Sequence, residues 1–158
     1  MNNFPRARAR HATLSATRQL RARRIMATTV ADIMTRDVLT MHESTRVATA
    51  AKEVAGTDIR HVVVIDNSKV LTGVFSQRDM LRELARSANR REQFGETPLK
   101  ELNSNTPITA RADTAVSEAA RLLAQHKVGC LPVVAANGCV VGILSVIDVL
   151  QYVARNPV

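Results

Sequence analysis

The chain has 158 residues, of which 46% are hydrophobic and 3% are aromatic, and its formal net charge at pH 7 is +8. This length can bury an aliphatic core in one compact unit or in two small halves, and the scarcity of aromatic side chains argues against a surface that stacks nucleic-acid bases. No apolar run approaches the roughly 20 residues that cross a membrane, and no signal-peptide segment is present, so we expect a cytoplasmic protein that does not bind a membrane.

The positive charge is concentrated in an N-terminal arm, residues 1–29, which we expect to be flexible. Seven arginines and no acidic residue precede Asp32, whereas 15 basic and 14 acidic residues lie from Asp32 to the end. The arm fits three interpretations: a mitochondrial transit peptide, a segment that neutralises nucleic-acid phosphates, or an uninformative extension ahead of a translation start at Met26. A mitochondrial location is therefore the alternative to a cytoplasmic one. We do not expect nucleic acid as the main partner.

The first elements after the arm are a short strand and an amphipathic helix. A strand is predicted over 38–40, and Ser44–Thr45 supply side-chain oxygens of the kind that cap a helix N-terminus. The apolar face of the helix repeats at i, i+3, i+4 and i+7: Val47, Ala50, Ala51 and Val54. A largely apolar strand follows over 59–65, and a further strand over 70–75 leads into a helix that begins near Ser76.

The same order of elements recurs in the second half of the chain. Residues 38–81 align with 107–150 without a gap, with 11 identities in 44 positions. Such self-similarity indicates a duplicated unit, so the predicted fold class is α/β (α+β), built from two β-α-β-β-α repeats. We divide the chain into the arm, a first domain over 30–95 (copy one) and a second domain over 96–158 (copy two).

The elements of copy two follow from the same patterns. Its helix is capped by Asp113–Thr114, and its final helix begins near Ser145. Its predicted strands cover 107–109, 128–134 and 139–144, and its helix face consists of Val116, Ala119, Ala120 and Leu123. Asn137-Gly138 predicts the tight turn of a hairpin between the last two strands.

In both copies a strand ends in Ser, and Asp follows three residues later at the start of a helix. These residues are Ser76 and Asp79 in copy one, and Ser145 and Asp148 in copy two. One interpretation is structural, since Ser at the N-cap and an acidic residue at N3 form a capping box. The other is functional: the helix N-terminus and the hydroxyl can bind a phosphate, and the carboxylate can accept hydrogen bonds from both ribose hydroxyls.

The predicted turn also determines which residues face each other across each hairpin. With the turn at Asn137-Gly138, Cys130 lies opposite Ser145, and the repeat places His61 opposite Ser76. The starts of the two apolar strands therefore border the Ser/Asp ends, where their backbone groups can read the edge of an adenine base.

The cysteines and histidines exclude two kinds of site. The hairpin register separates Cys130 from Cys139 by roughly 20 Å at about 3.3 Å per residue, which excludes a disulfide between them. The four histidines share no metal-ligand spacing, so we expect no metal site: His11, His42, His61 and His126.

The duplicated unit and its short motifs together resemble a tandem pair of CBS (cystathionine β-synthase-type) domains. The motifs are Asp32-Ile33-Met34-Thr35 ahead of copy one, Leu131-Pro132-Val133-Val134 in copy two and Gly-x-x-Ser-x-x-Asp in both, and the resemblance covers about 30–154. It implies a pseudo-twofold disc with two clefts that bind AMP, ADP, ATP, S-adenosylmethionine or NAD-like ligands. It also implies a homodimer, and a regulatory module that acts on a separate, unidentified protein.

The resemblance assigns ligand-binding roles to individual residues. Asp79 and Asp148 would bind ribose, and Ser76 and Ser145 would lie near phosphate. The adenine neighbours would be Met34, Leu39, Ile59 and Val74 in site one, and Asn103, Ile108, Val128 and Ile143 in site two.

Copy one departs from the family pattern at the start of its apolar strand. Arg60–His61 replace the small pair Gly129–Cys130 of copy two, and Val63 stands where copy two has Pro132. The larger residues either crowd the base or pair with a polyphosphate, and Arg78 beside them is a candidate phosphate ligand.

Two alternatives to nucleotide sensing remain: a structural dimerisation or assembly module that has no ligand, and a nucleic-acid binder that uses the arm. We do not expect an enzyme or a required cofactor, because a Ser nucleophile needs a nearby His base and an oxyanion hole. The Ser motifs also lack the second Gly of a nucleophile elbow.

Overall fold

The computed structural model describes residues 28–86, 91–102 and 106–156. The elements within these ranges are, in chain order, α1 (Val30–Ile33), β1 (Thr40–His42), α2 (Val47–Val54), β2 (His61–Ile65), β3 (Leu71–Ser76), α3 (Gln77–Arg86), α4 (Arg91–Glu96), α5 (Leu99–Leu102), α6 (Val116–His126), β4 (Cys130–Val134), β5 (Val140–Ser145) and α7 (Val146–Arg155). No helix in this part of the chain is long and apolar enough to cross a membrane.

The strands form one small sheet in each copy. Copy one has the order β1-β2-β3, with β1 parallel to β2 and β3 antiparallel to it, and copy two has the antiparallel pair β4-β5. The predicted hairpin register is confirmed, since His61 pairs with Ser76 and Cys130 pairs with Ser145. The apolar strands begin two residues later than predicted, so Ile59 and Val128 precede them.

The predicted strand at 107–109 is wrong, and Pro132 explains the difference between the copies. In copy one the Val63 amide donates to the Leu39 carbonyl at 3.2 Å, which extends the contact between the first two strands. Pro132 occupies the corresponding position in copy two and has no amide hydrogen to donate. Only an isolated bridge between Ala110 and Val133 remains there.

The predicted helix caps are also wrong, because the helix amides find partners elsewhere in the chain. The N-caps of α2 and α6 are Arg46 and Ala115, and neither makes a side-chain capping bond. The amide of Val47 donates instead to the Thr97 carbonyl at 3.0 Å, and that of Val116 to the Thr28 carbonyl at 3.0 Å. These partners lie far away along the chain, so no local pattern predicts them.

Each copy is completed by a segment at the N-terminal end of the other copy, and we call residues 28–35 and 97–102 the crossing segments. Val30 donates to the Thr114 carbonyl at 2.8 Å, and Leu99 donates to the Thr45 carbonyl at 2.9 Å. Val30 is fully buried in the copy-two core and Leu99 in the copy-one core. Full burial of such a side chain is worth roughly 1.5–3 kcal/mol, so the two cores depend on each other. The predicted domain ranges stay a prediction.

The hairpin turns of the two copies meet on a pseudo-twofold axis. Val70 pairs with Cys139, which is its own counterpart in the sequence repeat. The Leu71 amide donates to the Gly138 carbonyl at 3.2 Å, and the symmetry-related Val140 amide donates to the Lys69 carbonyl at 3.4 Å. The repeat found in the sequence is therefore also a symmetry of the contacts between the copies.

Candidate functional site

The Ser and Asp residues of both copies form complete capping boxes. The Ser76 hydroxyl donates to Asp79 Oδ2 at 2.5 Å, and the Asp79 amide donates to Ser76 Oγ at 3.1 Å. The Ser145 hydroxyl and the Asp148 amide make the same bonds at 2.6 and 3.2 Å. Because each hydroxyl proton already points at a carboxylate, a phosphate can accept it only after the hydroxyl rotates away from the Asp.

The N-termini of α3 and α7 also have fewer free backbone amides for an anion than their sequences predict. The Gln77 amide donates to the Arg60 carbonyl at 3.2 Å, and the Val146 amide donates to the Gly129 carbonyl at 3.0 Å. The Ser amides bind the Asp carboxylates as well, at 3.2 Å in copy one and 2.7 Å in copy two. Most of the amides of each first turn are therefore occupied, and the site offers an anion few backbone donors.

The two strand starts meet at the boundary between the copies. His61 lies against the Cα of Gly129, so close that a Cβ at residue 129 would lie 2.7 Å from His61 Nε2. Gly129 thus makes room for a larger side chain from copy one. The starts of β2 and β4 and the first turns of α3 and α7 converge here.

The structure changes the predicted grouping of Met34. The sequence places Met34 with Val74 in site one, but Met34 is buried in the copy-two core. A Cβ at Gly142 would lie 2.6 Å from Met34 Sδ, and the Thr35 amide donates to the Ile143 carbonyl at 2.9 Å. The crossing segment therefore carries Met34 to the strand that ends in Ser145.

The other predicted adenine neighbours lie at the edges of the two cores. Leu39 and Ile59 pack against the copy-one core, while Ile108 and Val128 pack against the copy-two core. Val74 pairs with Val63 in the copy-one hairpin and is half-buried. Asn103 lies outside the described residues.

Two site residues were missed by sequence reasoning. Gln77 donates from its side-chain amide to the Ile59 carbonyl at 3.1 Å, which occupies a backbone acceptor predicted to read adenine. The corresponding residue of copy two is Val146, which cannot make this bond. Thr35 was missed as well. The sequence repeat aligns Thr35 with Ser104, so a hydroxyl residue occurs at this position in both copies, and this agreement could have identified Thr35 as a candidate site residue.

Burial shifts the pKa values of the pseudo-equivalent residues His61 and Cys130 in opposite directions. Burial lowers the pKa of His61 below its usual value of 6.5; Asp79 opposes this effect, and Arg60 and Arg78 reinforce it. Burial, with a smaller contribution from Asp79, raises the pKa of the Cys130 thiol from 9.0 to about 12. Asp79 therefore faces the strand starts of both copies, and Cys130 remains a neutral thiol near pH 7.

Arg60 and Arg78 are both exposed at this boundary, and Arg82 forms an ion pair with Asp79 at 3.6 Å. Cys130 and Cys139 are both free. Within residues 28–86, 91–102 and 106–156, no three His, Cys, Asp or Glu side chains are grouped so that they could hold a metal ion.

Comparison with proteins of known sequence gives a match to both copies. The model of the family described as CBS domain matches residues 30–86 and 99–155. The chain is also 32% identical over 117 residues to homoserine O-acetyltransferase of Methanohalophilus mahii, a match that covers 74% of this chain and 23% of that protein. The chain thus spans less than a quarter of the length of the first such relatives.

Two solved structures share the fold with similar coverage. CBSX2, an Arabidopsis thaliana protein, was solved in complex with AMP; it is 29% identical, with a TM-score of 0.71 over 80% of this chain and 96% of that one. The CBS domain pair of protein MJ0100 was solved with 5′-methylthioadenosine and S-adenosyl-L-methionine; it is 25% identical, with a TM-score of 0.72 over 82% and 98%. The predicted fold class is confirmed, and the chain belongs to the CBS-domain family as a tandem pair.

Proposed function

We propose that this protein is a non-enzymatic regulatory module that binds an adenosine-bearing ligand in clefts between its two copies and passes the signal to a separate protein. The observation that carries the proposal is the duplicated Ser-x-x-Asp arrangement, held in the same geometry in both copies. AMP, 5′-methylthioadenosine and S-adenosylmethionine occur in the structures of the two similar CBS pairs. These ligands share the adenosine group, which is the part we assign to the clefts.

The carboxylates supply the acceptors for ribose. The bonds within each capping box use Oδ2 of Asp79 and Asp148. Oδ1 of Asp148 is thus available to a ribose hydroxyl, whereas Oδ1 of Asp79 faces Arg82. We therefore assign the more accessible ribose site to copy two.

The geometry supports a cleft made from parts of both copies. Ser145 and Asp148 lie at the end of the strand that Thr35 contacts, so residues 34–35 are the apolar and backbone neighbours of that ribose site. In copy one, Ser76 pairs with His61, and the His61 ring lies against Gly129 of copy two. A ligand in either cleft would touch both copies and stabilise one arrangement of them, and this is how binding could be signalled to a partner.

Calorimetry with AMP, ATP, NAD and S-adenosylmethionine tests the proposal. We expect at least one to bind, and we expect Asp148→Asn to weaken that binding about tenfold or more, because the neutral amide is a poorer acceptor for hydroxyl donors. Asp113→Asn is the matched control, since Asp113 is a carboxylate in a loop of the same copy, away from the capping box. Absence of binding by all four ligands would overturn the proposal.

A specific observation also favours dimerisation, which we propose as a second property of the module. The exposed apolar residues Leu81 and Leu150 are pseudo-equivalent, with 67% and 57% of their surfaces accessible. Ile147 and Val153 extend the face on α7. A twofold-related apolar surface of this kind suits an isologous contact with a second copy of the chain.

Light scattering coupled to gel filtration tests the dimer. We expect the wild type to be a dimer and Leu150→Glu to be a monomer, because the new charge would be buried in the contact. Gln151→Glu is the matched control, since it adds the same charge at the neighbouring exposed position of α7. If the dimer is stable and no nucleotide changes its melting temperature, the ligand-free assembly role is favoured over the sensing role.

A further inference from the structure

A side-chain amide in the first turn of α3 occupies a backbone acceptor just before β2. Gln77 donates from Nε2 to the Ile59 carbonyl at 3.1 Å, and its backbone amide donates to the Arg60 carbonyl at 3.2 Å. A carbonyl oxygen can only accept a hydrogen bond, so the nitrogen end of the Gln77 side chain must face it. Two consecutive carbonyls of copy one are therefore already bonded to one residue.

Copy two keeps the backbone bond and lacks the side-chain bond. The Val146 amide donates to the Gly129 carbonyl at 3.0 Å. The Val146 side chain is apolar and has no hydrogen to donate to Val128, the counterpart of Ile59. Among the described residues, no group donates a hydrogen bond to the Val128 carbonyl. This carbonyl is therefore available to a ligand, whereas its counterpart in copy one is not.

The two carbonyls lie close to the capping boxes to which we assign ribose. Each precedes a strand whose first residue pairs with the Ser of a capping box, His61 with Ser76 and Cys130 with Ser145. A base joined to a ribose on the Asp of the same box would meet this strand start. The amino group of adenine donates hydrogen bonds at the edge of the base, and the keto oxygen of a 6-oxopurine accepts them at the same position.

We propose that Gln77 sets the purine preference of the copy-one cleft, so that copy two prefers a 6-aminopurine such as adenine and copy one accepts a 6-oxopurine such as hypoxanthine equally well. This inference rests on the proposed function, because it needs a nucleotide to be held by the Ser and Asp residues. In copy two the Val128 carbonyl accepts from the adenine amino group, whereas a keto oxygen at that position would face a second acceptor.

The chemistry of a primary amide explains the difference in copy one. The NH2 group of Gln77 has two hydrogens, and the bond to the Ile59 carbonyl uses one of them. The other hydrogen can be donated to a keto oxygen, while the adenine amino group has to displace the amide before it reaches the carbonyl. A neutral hydrogen bond of this kind changes affinity by a few-fold to about tenfold. Gln77 therefore shifts the preference of the cleft without closing it.

Calorimetric titration of the full chain with AMP and IMP tests the preference, because these two nucleotides differ only at the edge of the base. Asp79→Asn leaves copy two with its ribose carboxylate, and Asp148→Asn leaves copy one with its own. We expect the copy-two cleft to bind AMP about tenfold more tightly than IMP, and the copy-one cleft to bind the two within about threefold of each other.

Exchange of the two side chains identifies the residue responsible. In the Asp148→Asn background, Gln77→Val installs the copy-two residue and should raise the preference for AMP towards tenfold. In the Asp79→Asn background, Val146→Gln should remove most of that preference. Gln93→Val is the control, because it removes an exposed side-chain amide on α4 and should leave both ratios unchanged. Thermal melting verifies that each variant is folded.

Equal affinities of AMP and IMP in the copy-two cleft would overturn the inference and leave the proposed function standing. A copy-one preference for AMP as strong as that of copy two, or one unchanged by Gln77→Val, would do the same. If the copy-one cleft binds neither nucleotide, Val146→Gln decides, since an unchanged ratio in copy two overturns the inference. Failure of AMP and IMP to bind the wild type also overturns it, and the proposed function falls only when ATP, NAD and S-adenosylmethionine fail to bind as well.

Discussion

The two copies have the same capping boxes and hairpin register but differ in the residues placed on them. Copy one has Arg60–His61 and the Gln77 side chain at its strand start, whereas copy two has Gly129–Cys130 and Val146. Copy one also keeps a third strand that Pro132 prevents in copy two. The comparison shows that duplication preserves backbone geometry while each copy changes the charge and hydrogen-bonding groups of its half of the site.

The largest expected effect tests whether the copies fold as one unit. Leu99→Ala leaves a cavity in the copy-one core although residue 99 belongs to the start of copy two, and we expect a loss of about 3 kcal/mol in the free energy of unfolding. Val30→Ala should lower it less, because fewer methyl groups are removed from the reciprocal position. Urea unfolding measured in both copies should show a single transition. Separate transitions in which each variant affects only one copy would show that the crossing segments do not couple them.

A smaller expected effect is a difference between the copies in how the free energy of unfolding depends on pH. His61 and Cys130 occupy equivalent positions, yet burial disfavours the charged form of a base in one copy and of an acid in the other. Because the pKa of His61 is lowered from 6.5 on folding, its contribution to stability is present above pH 6.5 and is lost as the pH falls. Because the pKa of Cys130 is raised from 9.0 to about 12, its contribution is present below pH 9.0 and is lost as the pH rises towards 12.

Urea titrations at a series of pH values measure these contributions. Each group changes the free energy of unfolding by at most about 1.4 kcal/mol per pH unit. His61→Gln should flatten only the acidic limb of the curve, and Cys130→Ala only the alkaline limb. Equal slopes in a variant and the wild type would show that the group does not titrate differently on folding.

The smallest effect compares the two hairpin turns. Lys69 and Gly138 are equivalent and both have positive φ, 61° and 82°, a conformation that favours glycine. We expect Gly138→Ala to lower the melting temperature, since it adds a strained backbone and places a Cβ 3.2 Å from Val70 Cγ1. Lys69→Gly should have an effect of less than about 1 kcal/mol, because relief of strain is offset by the greater freedom of glycine in the unfolded chain. If both substitutions lower the melting temperature equally, backbone strain does not separate the turns.

Local and repeated features of this protein were determined by its sequence. The alignment of 38–81 with 107–150 revealed the duplication, Asn137-Gly138 set the register that pairs Cys130 with Ser145, and Ser-x-x-Asp predicted both capping boxes. Each of these depends on residues close together along the chain or on a comparison of the two copies. The missing strand of copy two also had a visible cause in Pro132, although the sequence pattern alone did not reveal its consequence.

Only the tertiary structure decided how the copies complete each other. Residues 28–35 pack on copy two and residues 97–102 on copy one, so Met34 joins Gly142 and the amides of α2 and α6 are satisfied by distant carbonyls. The contact of His61 with Gly129 and the bond from Gln77 to Ile59 arise in the same way. Such contacts join residues that are far apart in sequence, and hydrophobic burial favours any arrangement that covers the same apolar surface. Their selection therefore depends on the shapes of both cores together.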